Sequence, residues 1–392
     1  MSSCSHSEEC PICLDEINPN MCQNEICITC KKVFCSECIY PTNVACLKKC
    51  PHCRAYLEED TITSIEKCLK IVKENPDFKN IGYIYHLLYI FYTENEQEKE
   101  SQKYLNLALE KSFPCSFMVK YNYYLEEKLE EEAQKYLDLA VKNNCGTGHY
   151  CMAEIYNCKG MISESKRMLV SSSNLGCTMA QYVVGDFYLS GKVLEKDIEK
   201  GLELLEKCSA KNYVPAVIDL ANIYYYGQEK IEANYNLYLK YTKIAAFNGD
   251  EACQFNYGFH LYNNGFFYEA YIWFSKSNQG KLAVFMSGKS LINLGRNIDV
   301  AIDMIKDSAK EGLLAAKFEF SIILFEGKYL PQKEEQAFAI MKELAEKKYI
   351  PSYGRLAHYY LHSKNKNLRL SQKYSKLAEE NPVINKFNYH LH

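Results

Sequence analysis

The chain has 392 residues, of which 47% are hydrophobic and 24% charged, a composition typical of a folded protein rather than a disordered or fibrous one. The formal net charge is −3. Residues 1–60 contain five basic and nine acidic side chains, and the rest of the chain has a net charge of +1. We therefore expect no broad electrostatic contact with nucleic acid or anionic lipid. No stretch approaches the run of about 18 apolar residues that a membrane helix needs, and the amino terminus does not resemble a secretory signal.

Cysteine is concentrated at the amino terminus. The chain contains 19 cysteines, and eleven of them fall within the first 53 positions. Because an intracellular protein keeps its thiols reduced, such a dense group indicates metal binding rather than disulfides. The other eight cysteines are scattered singly through helical sequence, and we predict that they are small buried apolar residues.

Eight of the amino-terminal cysteines form four C-x-x-C pairs, each of which offers two thiolates to one side of a metal ion. The predicted ligands are Cys10, Cys13, Cys27, Cys30, Cys35, Cys38, Cys50 and Cys53. Four pairs complete two tetrahedral sites with no open position, so the spacing predicts two structural Zn²⁺ ions. Redox-active thiols would need only one pair, usually in a βαβ context. The segment is too small to bury much apolar surface, so we expect zinc to supply its folding free energy, on the order of 10 kcal/mol per ion.

The residues around these pairs resemble the RING finger of ubiquitin ligases. The first pair reads C-P-I-C at 10–13, and the last reads C-P-H-C-R at 50–54. Lys32 stands where the usual RING has a histidine ligand, and Cys27 compensates, as in the eight-cysteine RING variant. The resemblance implies a cross-brace in which the first and third pairs share one zinc and the second and fourth pairs share the other. A FYVE finger has similar spacing, but residues 22–26 lack its basic phosphoinositide-binding side chains.

The RING resemblance also implies an activity without a covalent ubiquitin intermediate. In that family a ubiquitin-charged conjugating enzyme packs on an apolar groove between the zinc loops, and the matching residues here are Ile12, Ile39 and Pro51. Arg54 directly follows the last ligand and matches the linchpin position, where a planar side chain with several donors bonds both ubiquitin and the conjugating enzyme. The alternative is a non-catalytic scaffold, in which these four residues only shape the zinc loops.

Beyond residue 60 the sequence predicts a linker helix over residues 61–76, followed by a helical repeat array over residues 77–392. One small-residue position recurs every 31–36 residues. It is occupied by Ser116, Gly148, Ala180, Ala216, Ala252, Ala283, Ala316 and Ser352. A period of this size predicts eight or nine helix pairs stacked as a solenoid. We expect the small residues to mark the crossing points at which neighbouring helices approach closely.

The unit that begins at Ala180 has the clearest pattern. Gly185 and Tyr188 belong to its first helix, which we expect to end at Gly191, and Asp197 is the expected N-cap of its second helix. This pattern resembles the Sel-1-like repeat, a relative of the tetratricopeptide repeat. The resemblance implies an α-helical solenoid with a long concave face for a protein partner.

The sequence therefore predicts a mainly α protein in which a small two-zinc domain precedes a helical solenoid. The function that we predict is RING-type ubiquitin transfer, with a non-catalytic interaction scaffold as the alternative. The expected partners are a ubiquitin-conjugating enzyme, ubiquitin, and a protein substrate on the repeats, with no nucleic acid and no membrane. Ubiquitin chemistry implies the cytoplasm or nucleus of a eukaryotic cell, or a virus that infects one.

Overall fold

The structure, a computed structural model, describes four short strands within the first 35 residues and then residues 61–78, 80–362 and 366–380. It divides into two compact units, Met1–Asn234 and Tyr235–His392. The described residues form four strands and nineteen helices, so the prediction of a mainly α protein is confirmed for this part of the chain. None of the described helices combines the length and the apolar character that crossing a bilayer requires.

The strands form two antiparallel pairs, β1 with β2 and β3 with β4. Their bounds are β1 Glu8–Glu9, β2 Glu16–Ile17, β3 Asn24–Ile26 and β4 Val33–Cys35. Glu9 pairs with Glu16, and Ile26 pairs with Val33, so six residues connect the strands of each pair. β2 also lies against β4.

The described part of the first unit contains ten helices, α1 to α10. Their bounds are α1 Thr61–Glu74, α2 Ile81–Glu94, α3 Glu98–Glu110, α4 Pro114–Glu126, α5 Glu130–Lys142, α6 Gly146–Cys158, α7 Ile162–Asn174, α8 Thr178–Ser190, α9 Ile198–Ala210 and α10 Val214–Tyr226. Helices α2 to α9 pack as four successive hairpins. α1 contributes the buried Cys68 and Ile71 to a core that also contains Ile84 and Leu88 of α2.

The described part of the second unit contains nine helices, α11 to α19. Their bounds are α11 Tyr235–Phe247, α12 Glu251–Asn263, α13 Phe267–Lys276, α14 Gly280–Leu294, α15 Ile298–Lys310, α16 Leu314–Glu326, α17 Glu334–Glu346, α18 Pro351–His362 and α19 Leu368–Glu380. Helices α12 to α19 pack as four further hairpins. One core cluster of this unit includes Phe274 of α13 and Ile305 of α15, both fully buried. Each unit is thus built from repeated helix pairs, as the periodicity predicts.

The connections between helices explain the variation in repeat length. Most of those described in the first unit have three residues, and the middle residue is left-handed, as at Lys128 (φ 59°) and Asn144 (φ 58°). The connection from α8 to α9 has seven residues and that from α10 to α11 has eight. These two longer connections raise the spacing of the buried small-residue position from 32 residues before Ala180 to 36 and 37 residues in the two repeats that follow it.

Small residues do lie where helices cross, as predicted. A Cβ added to Gly148 of α6 would lie 3.0 Å from the Cβ of Ala140 in α5. A Cβ added to Gly201 of α9 would lie 2.6 Å from the Cγ of Leu189 in α8 and 3.0 Å from the Gly185 carbonyl oxygen. Such close approach leaves no room for a side chain, so these glycines permit the backbones to pack.

The prediction for Ala252 is wrong. Ala252 is exposed, and Cys253 occupies the buried position in α12. The eight-residue connection before α11 is one residue longer than the connection between α8 and α9. The repeat that begins at Ala216 is therefore 37 residues long, and the buried position moves by one residue.

The cysteines beyond residue 60 follow the prediction in part. Seven of these eight are free thiols. The buried free thiols are Cys68, Cys145, Cys177, Cys208 and Cys253. Burial raises the pKa of Cys68 to about 11 and that of Cys208 to about 12, so both remain protonated and unreactive near neutral pH. Cys158 is exposed, because it is the last residue of α6, beyond the part of that helix whose residues are buried.

Candidate functional site

A cleft of about 230 Å³ opens between α8 and α10 in the first unit. Its lining combines apolar and polar side chains, and Leu205 of α9, which is buried, contributes to it. The lining residues are Asp186, Leu189, Ser190, Leu205, Asp219, Asn222, Ile223 and Gln228. Five of these eight residues are polar, so the cleft is more polar than most small-molecule sites, and its volume is smaller than a drug-sized ligand requires.

The ends of α8 and α9 position one side of the cleft. α8 ends before Gly191, whose left-handed backbone (φ 68°) closes the helix, and the Asp197 carboxylate accepts a bond from the Lys200 amide at 3.1 Å. Both boundaries match the sequence prediction. The two long connections that follow α8 and α10 are joined by an ion pair between Lys196 and Glu229, at 2.7 Å. Gln228, which lines the cleft, belongs to the second of these connections.

A hydrogen bond links the two helices that form the walls of the cleft. The Tyr182 hydroxyl of α8 donates to the Asp219 carboxylate of α10 at 2.8 Å. Burial raises the pKa of Tyr182 well above its usual value, and the hydrogen bond to the Asp219 carboxylate raises it further. The Tyr182 ring also lies 5.3 Å from the Tyr213 ring, centroid to centroid. These contacts fix the Asp219 side chain at the edge of the cleft.

The cleft contains two carboxylates and no compensating cation. Burial raises the pKa of Asp219, the Tyr182 bond opposes the shift, and the nearby charge of Asp186 raises it further. In the part of the chain that the structure describes, neither Asp186 nor Asp219 forms an ion pair. The cleft therefore presents negative charge next to an apolar surface, an arrangement that favours a positively charged ligand group.

The residues predicted from the zinc pattern belong to the amino-terminal segment. Cys35 is the last residue of β4, where the backbone alone is described. The other predicted ligands and contact residues lie outside the described residues: Cys10, Cys13, Cys27, Cys30, Cys38, Cys50, Cys53, Ile12, Ile39, Pro51 and Arg54. The described residues contain no group of three or more His, Cys, Asp or Glu side chains that could hold a metal ion. The zinc sites and the conjugating-enzyme contact therefore remain predictions.

The sequence prediction missed the cleft residues, although a signal for them exists. The ninth residues of α4, α6, α8 and α10 are Asn122, Glu154, Asp186 and Asn222, and all four are exposed. They are separated by 32, 32 and 36 residues, the same spacings as the small-residue position in these repeats. A polar position with the period of the repeat marks one continuous row of side chains along successive helices.

Comparison with solved structures returns proteins with Sel1-like repeats. A protective antigen of uropathogenic Escherichia coli, which displays an SLR fold, is 16% identical; the match covers 82% of this chain and 84% of that one, with a TM-score of 0.45. A Sel1 repeat protein from Oxalobacter formigenes is 17% identical; the match covers 72% of this chain and 87% of that one, with a TM-score of 0.39. No protein-family model and no curated protein matches the sequence.

Proposed function

We propose that the helix pairs of the first unit bind a segment of a protein partner. The observation that carries this proposal is the cleft between α8 and α10, in which two carboxylates without a cationic partner lie beside apolar side chains. The polar row that leads to it recurs on three preceding helices, α4, α6 and α8, a repeated arrangement suited to an extended peptide. Side chains with both donors and acceptors, such as Asn122 and Asn222, can bond the peptide groups of such a segment.

The test of this proposal is a selection of random dodecapeptides displayed on phage against the immobilised full-length chain. Enriched peptides, made synthetically and labelled, are then titrated with the chain in solution by fluorescence polarisation. Saturable binding supports a peptide-binding function whatever the sequence of the peptides. Failure to enrich any peptide that binds in solution would contradict it.

We further propose that the amino-terminal segment is a RING-type module that recruits a ubiquitin-charged conjugating enzyme. The support is the set of four C-x-x-C pairs, together with the C-P-I-C and C-P-H-C-R motifs at 10–13 and 50–54. The described strands are compatible with it: each strand pair brackets one of the first two cysteine pairs, and β2 lies against β4, whose last residue is Cys35. In this proposal Arg54 is the linchpin and the two zinc ions are structural.

The ligase proposal is tested by the discharge of ubiquitin from charged conjugating enzymes onto free lysine, catalysed by the full-length chain. Ile12→Ala is expected to abolish discharge, since it removes the apolar contact, and Arg54→Ala to reduce it. Ile28→Ala is the matched control, because Ile28 lies inside the second C-x-x-C pair rather than the first. Discharge by none of a panel of conjugating enzymes, from protein that carries two zinc ions, would favour the scaffold.

A further inference from the structure

The polar row of the first unit ends at the cleft. Its four members are the ninth residues of α4, α6, α8 and α10, and the last two, Asp186 and Asn222, line the cleft itself. Within the row the two amides are the end members and the two carboxylates lie between them. This order offers hydrogen bonds to an extended backbone along the row and a negative charge where the cleft opens.

The cleft has the properties of a site for one long side chain with a positive end. The apolar part of the lining consists of the half-buried Leu189 and the buried Leu205 and Ile223, against which a chain of methylene groups can pack. Asp186 and Asp219 place two carboxylates in the same lining. A volume of about 230 Å³ suits a single side chain rather than a whole ligand.

We propose that the cleft between α8 and α10 receives an arginine side chain from an extended segment of the protein partner. The Asp186 and Asp219 carboxylates accept hydrogen bonds from the guanidinium group, and the Asn222 amide bonds the backbone of the partner beside that arginine. The inference rests on the proposed peptide-binding function of the first unit and adds the chemistry that the partner must supply.

Three features favour arginine over other groups. A planar guanidinium carries five donors and can bond two carboxylates at once, whereas a lysine ammonium acts as a compact point charge. An acidic or phosphorylated segment would be repelled by Asp186 and Asp219. A neutral apolar side chain would bury these carboxylates without a partner, which is unfavourable. A bound guanidinium instead relieves the repulsion between the two carboxylates.

The experiment extends the selection of displayed dodecapeptides to the Asp186→Asn and Asp219→Asn variants of the full-length chain. We expect the wild-type chain to enrich peptides with arginine at one fixed position. Replacement of that arginine by citrulline, which has a similar shape without the charge, should weaken binding by about tenfold or more, the effect of losing a charge-assisted hydrogen bond. Asp186→Asn and Asp219→Asn should each weaken binding of the arginine peptide similarly, and both variants should bind the arginine and citrulline peptides more nearly equally.

The controls separate binding from folding. Asparagine at position 219 can still accept the Tyr182 hydrogen bond, so the thermal midpoint of Asp219→Asn should equal or exceed that of the wild type. Glu199→Gln, an exposed position of α9 outside the cleft lining, should leave affinity unchanged. Enriched peptides without a fixed arginine, or affinities that citrulline and Asp219→Asn do not change, would overturn the inference and leave the peptide-binding function standing. Failure to enrich any peptide would overturn both.

Discussion

Acid destabilisation of the first unit should depend on His86. This side chain of α2 packs against the Phe113 ring, with centroids 5.1 Å apart, and its Nδ1 lies 3.2 Å from the Ser116 hydroxyl of α4. Burial lowers the pKa of His86 from 6.5 to about 4, because the charged imidazolium would lose its hydration. The unfolded chain therefore binds a proton at a higher pH than the folded chain does.

The sign and size of the effect follow from linkage. A folded pKa below the unfolded one leaves stability unaffected above pH 6.5 and reduces it as the pH falls from 6.5 towards 4. The fall in the pKa of His86 from 6.5 to about 4 corresponds to about 3 kcal/mol of unfolding free energy, lost at roughly 1.4 kcal/mol per pH unit within that window. Below pH 4 this contribution to the free energy of unfolding changes no further.

Urea unfolding between pH 7.5 and pH 4 provides the assay, with helix content followed by circular dichroism. His86→Gln keeps a hydrogen-bonding group near Ser116 and removes the titration. The difference in the free energy of unfolding between wild type and variant should therefore change by about 3 kcal/mol over this range. Trp273, the one tryptophan of the chain, belongs to the second unit, and its fluorescence transition should not respond to the substitution. A difference that is independent of pH would refute the reasoning.

Three further outcomes are expected. Thr242→Val should stabilise the protein by about 1 kcal/mol in urea unfolding, because the Thr242 hydroxyl is buried with no hydrogen-bond partner among the described residues; a loss of stability would contradict this. Gly201→Ala should destabilise by about 1–3 kcal/mol through its contact with Leu189, whereas Gly354→Ala, which meets no atom within 4 Å, should not destabilise. Chelation of zinc should abolish ubiquitin discharge yet leave the helical circular dichroism signal intact; loss of that signal would show that the described helices depend on the metal.

The repeat architecture could be predicted because it depends on local sequence. Small residues such as Gly148 recur at the positions where two helices approach closely. The left-handed residues of the short connections allow the chain to reverse direction between successive helices. The prediction at Ala252 was wrong because the length of the connections varies by single residues. The sequence alone does not distinguish an exposed alanine from a buried one. Only the packing of α12 identifies Cys253 as the core residue.

The cleft could not be predicted by the same reasoning. Asp186 and Asp219 are 33 residues apart and occupy different positions within their helices, the ninth residue of α8 and the sixth of α10. Their convergence depends on how these helices pack and on the long connection that carries Gln228. Sequence periodicity identifies Asp186 as one of a row, but it does not indicate that the Tyr182 hydroxyl binds Asp219 from the neighbouring helix.

Transfer of ubiquitin to a bound peptide tests the two proposed functions together most directly, because it requires both the RING-type module and the peptide-binding repeats. The substrate is a selected arginine peptide extended by a single lysine, incubated with the full-length chain and a charged conjugating enzyme in a single turnover. Arg54→Ala should slow transfer both to this peptide and to free lysine, whereas Asp219→Asn should slow only transfer to the peptide, by about tenfold at subsaturating peptide. Equal rates for wild type and Asp219→Asn on the peptide would contradict the account.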